Sequence, residues 1–106
     1  MHRLHLTTAL LLLVIPALAL AACCGAPQGT AADGGRWFGL NHCNGCHGEE
    51  GSGGRGPALA GTGLSFHRFL GKLRSPESMV MPPFPAEKVS DQDAADIYLW
   101  LQTQKR

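Results

Sequence analysis

Cys43-Asn44-Gly45-Cys46-His47 sets two thiols three residues apart and an imidazole directly after the second. Few chemistries use this spacing, and the flanking residues sort them. A redox dithiol of the thioredoxin kind needs a strand before the pair and a helix after it. Here the glycine-rich stretch Gly48 to Gly56 follows. A zinc site would have to draw on His42, Cys43, Cys46 and His47, and neighbours in sequence rarely converge on one tetrahedral ion. No second ligand pair lies downstream.

The remaining use is covalent attachment of one haem, with a thioether from each cysteine to a vinyl group and the histidine held beneath the iron as an axial ligand. Composition supports it. The segment 1–22 is dense in apolar side chains, and the others are spread thinly from Cys23 onward, where all 14 glycines and six of the seven prolines also fall. A segment so loop-rich and thinly apolar needs a staple, a metal or a cofactor to fold. A haem supplies a large apolar body at the right place. The formal charge of +1, from nine Lys and Arg against eight Asp and Glu, leaves no basic face able to track phosphates, which excludes a nucleic-acid partner.

The segment 1–22 reads as a signal peptide. Arg3 precedes an apolar stretch, Leu6 to Ala22, interrupted only by Thr7, Thr8 and Pro16, and small residues replace leucine toward its end. Short and broken by a proline, the stretch is marginal as a permanent membrane span. Haem is joined to such cysteines outside the cytoplasm, so the export signal and the motif agree. Leu20-Ala21-Ala22-Cys23 resembles the lipobox of bacterial lipoproteins, which implies acylation of Cys23; ordinary cleavage after Ala19-Leu20-Ala21 is the alternative. Cys24 has no partner cysteine left in the chain and reads by default as a bystander, with a second acylated thiol or half of an intermolecular disulfide as the alternatives. Residues 23–32 form a flexible tether of about ten residues, spanning ~17 Å root-mean-square, and residues 33–106 form the domain.

Three helices and no strand alternation are expected in that domain. Asp33 is placed to cap a first helix through about His42, carrying Trp37, Phe38 and Leu40 and weakened by Gly34, Gly35 and Gly39. Phe66, Phe69, Leu70 and Leu73 stand at i, i+3, i+4 and i+7, one face of a helix from about Leu64 to Arg74, stopped before Pro76. Ser90-Asp91-Gln92-Asp93 opens the last helix in the manner of a capping box, and Lys105 and Arg106 complement its C-terminal dipole.

With these pieces in place the chain resembles the class I, monohaem cytochromes c from about Gly34 to Gln102. The resemblance rests on Cys43-x-x-Cys46-His47, then Gly56-Pro57-Ala58-Leu59, then Met81-Pro82-Pro83-Phe84, then the aromatic-leucine pair Trp100-Leu101. It implies an all-α cytochrome c fold of three main helices and loops wrapped around one covalent haem c. In the family the carbonyl at the Pro57 position accepts the Nδ1 proton of the haem histidine, Leu59 packs on the haem and Met81 is the second axial ligand. Met79 lies in the same extended stretch, but Met81 is followed by two prolines that fix φ, and by Phe84 as an anchor. One departure stands out: the family commonly carries an aromatic four residues before the first haem cysteine, whereas Gly39 holds that position here and the aromatic is Phe38.

The remaining features are weaker. Gly51-Ser52-Gly53-Gly54-Arg55-Gly56 satisfies a dinucleotide fingerprint in letters only, since it follows no strand and opens no helix; a bare loop on the histidine side of the haem is the reading. Arg68, Lys72 and Arg74 form a cationic cluster, a solvated face or a docking point for an acidic partner. His42 and His67 read as surface histidines. Taken with the resemblance, the expectation is an exported, lipid-tethered single-electron carrier that catalyses no bond chemistry. It would work on the outer side of the cytoplasmic membrane or in the periplasm, tethered or soluble. Its partners would be redox proteins, a donor dehydrogenase or cytochrome complex and an acceptor oxidase or reductase, with no small-molecule substrate. The alternatives are a dedicated cytochrome subunit of a multi-subunit dehydrogenase and, if the methionine is labile, a five-coordinate haem sensor or peroxidase-like protein.

Overall fold

A computed structural model describes residues 27–106. The signal peptide, Cys23 and Cys24 lie outside the described residues. Within them the chain forms four helices and no strand: α1 (Ala31–Leu40), the single turn α2 (Asn44–His47), α3 (Phe66–Arg74) and α4 (Asp91–Thr103). None is long and apolar enough to cross a membrane. This is the all-α architecture expected from the sequence.

The two strongest periodicities give the two best-matched helices. Ser65 caps α3 by accepting a hydrogen bond from the Arg68 amide at 3.3 Å, and Phe69 and Leu73 point into the core. Ser90 caps α4 through the Asp93 amide at 3.0 Å; each cap satisfies one of the donors a helix start leaves free. The tail differs from expectation. Lys105 and Arg106 lie beyond the end of α4, which has no basic residue in its last turn, and the Arg106 Nε donates to the Ala60 carbonyl at 3.0 Å instead.

Helix α1 begins two residues before the Asp33 expected to cap it. Thr30 is the N-cap and makes no side-chain cap; its amide donates to Asp96 Oδ1 at 2.7 Å. The buried Asp96 carboxylate also accepts from Trp37 Nε1 at 3.3 Å and from Gln92 Nε2 at 3.1 Å. Gln92 reaches on to the Gln28 carbonyl at 2.9 Å. Residues 28–32, read from sequence as part of the tether, are therefore tied to α4.

The crossing of α1 over α4 passes through Gly34. A Cβ there would drive into the Asp96 carbonyl oxygen and stand 2.5 Å from Trp100 Cβ. Glycine costs helix propensity at this position but allows the backbones to meet. Phe38, 1% exposed, then packs on Trp100 with ring centroids 5.0 Å apart. Gly34→Ala is expected to cost about 3 kcal/mol or more, since the obstacle is backbone and cannot rotate away. For a domain of this size that lowers the melting temperature by roughly 12 °C or more, measurable by circular dichroism on the holoprotein.

Behind this crossing lies a single core of Phe38, Phe69, Leu73, Phe84, Val89, Ala94, Ile97 and Leu101. Tyr98 joins α4 to α3 through edge and tilted contacts with Phe66 and Phe69, at 5.6 Å and 5.4 Å between centroids, and its hydroxyl donates to the Leu64 carbonyl at 2.8 Å.

Candidate functional site

The end of α1 delivers the first cysteine of the motif. The His42 amide donates to the Gly39 carbonyl at 3.0 Å and the Cys43 amide to the Phe38 carbonyl at 3.1 Å, with His42 at φ 60°. This is the Schellman arrangement, in which a left-handed residue ends the helix and the next amide reaches back to the last free carbonyls. Cys43 is locked to the turn that carries Phe38. Phe38, five residues before Cys43 rather than four, packs on the terminal helix through Trp100. Glycine is the usual occupant of this position, and His42→Gly is expected to raise stability by about 1 kcal/mol in thermal melts of the holoprotein.

Cys43 is the N-cap of α2, which carries Cys46 and His47 within one turn. Both thiols are free. Cys43 is half-buried against the core, and burial pushes its thiol up to about 11, the opposite of what an activated redox dithiol requires. Cys46 is exposed. His47 is buried, 9% exposed, and its Nδ1 lies 2.8 Å from the Pro57 carbonyl oxygen. A carbonyl only accepts, so the ring donates from Nδ1, and in the neutral ring that tautomer presents the Nε2 lone pair to a metal.

The glycine-rich loop makes this contact possible. It folds back over α2, with the Gly53 amide donating to the His47 carbonyl at 2.6 Å and the Gly56 amide to the Cys46 carbonyl at 2.8 Å. A Cβ on Gly56 would stand 3.0 Å from His47 Cε1 and Nδ1, so the bare backbone lets Pro57 reach the ring. Further on, the Leu59 and Ala60 amides donate to the Gly51 carbonyl at 2.7 Å and 3.0 Å. Gln102 Nε2 holds the Thr62 carbonyl at 2.9 Å, so α4 clamps the far end of the loop.

Leu59 and Met81, from two further segments, are also half-buried against the core that Cys43 touches. Met79 is fully exposed, at 101%, and Val80 nearly so. The donor set fits a haem c: two free thiols three residues apart on one turn, an imidazole whose Nδ1 is engaged by a carbonyl so that Nε2 can serve a metal, and a half-buried thioether packed with Leu59 and Cys43 against the core. Among the described residues no group of three or more His, Cys, Asp or Glu side chains is placed to hold a metal ion.

The three cations of the α3 cluster have different surroundings, and Arg68 is exposed. Lys72 pairs with Glu77 at 3.5 Å in the open, while Arg74 turns inward to the Phe84 and Val89 carbonyls. Sequence reasoning missed this role for Arg74, because carbonyl partners leave no trace in residue identity. His42 and His67 are exposed, as expected.

Comparison with curated proteins and with solved structures found no match. Comparison with family models found one, described as cytochrome C oxidase, cbb3-type, subunit III, over residues 29–101. That range runs from the glycine before the α1 cap to Leu101 in the core and includes every segment of the site. The cytochrome c domain so matched implies a covalently bound haem c and haem-based electron transfer. With more than half of its length matched, the chain belongs to the cbb3-type cytochrome c oxidase subunit III family, a group of cytochrome c domains.

Proposed function

We propose that this protein is an exported, membrane-tethered carrier of single electrons, with Cys43 and Cys46 attached to one haem c and His47 and Met81 as its axial ligands. The observation that carries the reading is the His47–Pro57 contact at 2.8 Å. It fixes the ring, keeps the proton on Nδ1 and directs Nε2 to the iron, as partners of ligating histidines do. When bound, the haem supplies an iron that alternates between ferric and ferrous, and a thioether ligand favours the ferrous form and raises the potential. With Met81 as the second ligand the iron would keep no open position for a substrate, which suits electron exchange rather than bond chemistry. Peptide mapping should find one haem on the fragment containing Cys43 and Cys46, and a potentiometric titration should follow a one-electron wave. A haem-free fragment would overturn the attachment.

The tether follows from the Leu20 to Cys23 match. Acylation at Cys23 would add two or three chains, enough for stable retention where one chain is marginal. Cys23→Ala combined with Cys24→Ala is expected to move the protein from the washed membrane fraction to the soluble one. Retention in the membrane would remove the lipoprotein reading.

A second reading is favoured by the family's description, which names an oxidase subunit: the chain works as the cytochrome subunit of a larger oxidase. Solubilisation in mild detergent separates the two. A carrier leaves the membrane alone, and a subunit brings its catalytic partner.

A further inference from the structure

Arg74 closes the base of the loop that carries Met81. It is the last residue of α3, and its side chain is 24% exposed. One guanidinium nitrogen, Nη1, donates to the carbonyls of Phe84 and Val89, each at 2.8 Å. The other, Nη2, meets Asp91 Oδ1 at 2.6 Å. From the same end of α3 the Leu73 carbonyl accepts the Phe84 amide at 2.8 Å. Both backbone groups of Phe84 are thus held by the last two residues of α3, and the Phe84 side chain is buried in the core.

Phe84 lies three residues beyond Met81, and the two residues between them are prolines. The proline ring locks φ and so limits the ways in which Met81 can stand relative to a fixed Phe84. On the other side of Met81, Glu77, Ser78, Met79 and Val80 are all exposed, with Glu77 paired to Lys72 in the open and the Val80 amide donating locally to Ser78 Oγ at 3.1 Å; no buried side chain anchors this stretch as Phe84 anchors the other. The position of the Met81 sulfur is therefore set from its C-terminal side, through Phe84. A planar fork that serves two carbonyls and a carboxylate at once is something a guanidinium does and an ammonium does not.

We propose that Arg74 is a positioning residue for the Met81 thioether: by gripping the carbonyls of Phe84 and Val89, it keeps the loop closed and the sulfur on the iron. The proposal rests on the reading of Met81 as axial ligand. Loss of the grip leaves two carbonyls without a charged donor and raises the fraction of molecules in which the sulfur has left the iron.

The test uses holoprotein carrying Arg74→Gln, Arg74→Lys, Met81→Ala or Asp96→Asn. Methionine ligation is read from the weak red absorption of the ferric form and from carbon monoxide affinity of the ferrous form at neutral pH. Arg74→Gln is expected to weaken the band, lower the potential and raise apparent carbon monoxide affinity at least about tenfold, because that affinity scales with the population of open molecules. Arg74→Lys should fall between Gln and wild type. Asp96→Asn loosens the α1–α4 crossing and lowers the melting temperature, yet should leave band and affinity unchanged at temperatures where it is folded; this separates positioning from mere stability. If Arg74→Gln fails to accumulate, Arg74→Lys carries the same criterion. A band, potential and affinity equal to wild type in the arginine variants, while Met81→Ala loses the band, would overturn the role of Arg74 and leave the ligand reading intact. A band that survives Met81→Ala would overturn the ligand reading itself.

Discussion

Replacing Cys43 and Cys46 together by alanine is expected to leave most of the chain unfolded. The described residues bury ten apolar side chains, three of them alanines, and a core of this size rarely contributes more than ~3 to 5 kcal/mol alone. Two long stretches, residues 48–65 and 75–90, are almost wholly irregular. Their ordering must be offset by burial, and each contains one half-buried side chain, Leu59 or Met81, that packs against the core as Cys43 does. Without a covalently held apolar body there, these segments lose the surface they close upon. Far-ultraviolet circular dichroism of the double variant should show most of the helical signal gone, with no cooperative melt. What survives should come from α1 and α4, whose contact through Gly34, Phe38 and Trp100 does not involve the motif. A full helical spectrum with a sharp transition would contradict the dependence on haem.

Met81→Ala is expected to have the next largest effect, on chemistry more than on folding. The two methionines of the loop differ by two residues in sequence and entirely in environment. Met81 packs against the core, whereas Met79 stands fully in solvent. Only the first has a backbone held in place, by Pro82, Pro83 and the buried Phe84. Removal of the Met81 sulfur should abolish the weak red absorption of the ferric protein, lower the potential because the soft ligand that favours ferrous iron is gone, and admit carbon monoxide. Met79→Ala should leave all three unchanged. The reverse pattern would transfer the ligand to Met79.

The parts of the fold that sequence conveyed were those governed by local rules. The i, i+3, i+4, i+7 row of Phe66, Phe69, Leu70 and Leu73 and the Ser90 cap of α4 obey short-range periodicity and capping, and the structure follows them to within two residues, with Ser65, inside the expected helix, serving as its cap. The start of α1 does not follow such a rule. Thr30 caps it without using its side chain, and its amide is held by Asp96, 66 residues away, so no window around Asp33 could have found it. Gly34 looked like a defect in a helix and is the point of closest approach between two helices.

The site divides in the same way. Cys43, Cys46 and His47 lie within five residues, so a haem-attachment reading can be made from their spacing and flanking sequence. Pro57 entered only through the family resemblance, and the structure brings its carbonyl to the His47 ring. The turn that ties Cys43 to Phe38 was not readable, because it depends on His42 taking a positive φ, which few non-glycine residues do. Arg74 was legible as a charge and not as a clamp, since its carbonyl partners are common to every residue.

The most direct test of a haem closed on both faces by His47 and Met81 is an absorption spectrum of the wild-type holoprotein at neutral pH, recorded ferric and then ferrous with and without carbon monoxide. A weak red band in the ferric form and a ferrous spectrum unmoved by carbon monoxide are the predicted result. A missing band together with a ferrous spectrum that shifts on addition of the gas would contradict it, leaving an iron with an open position and a protein that binds ligands rather than carrying electrons alone.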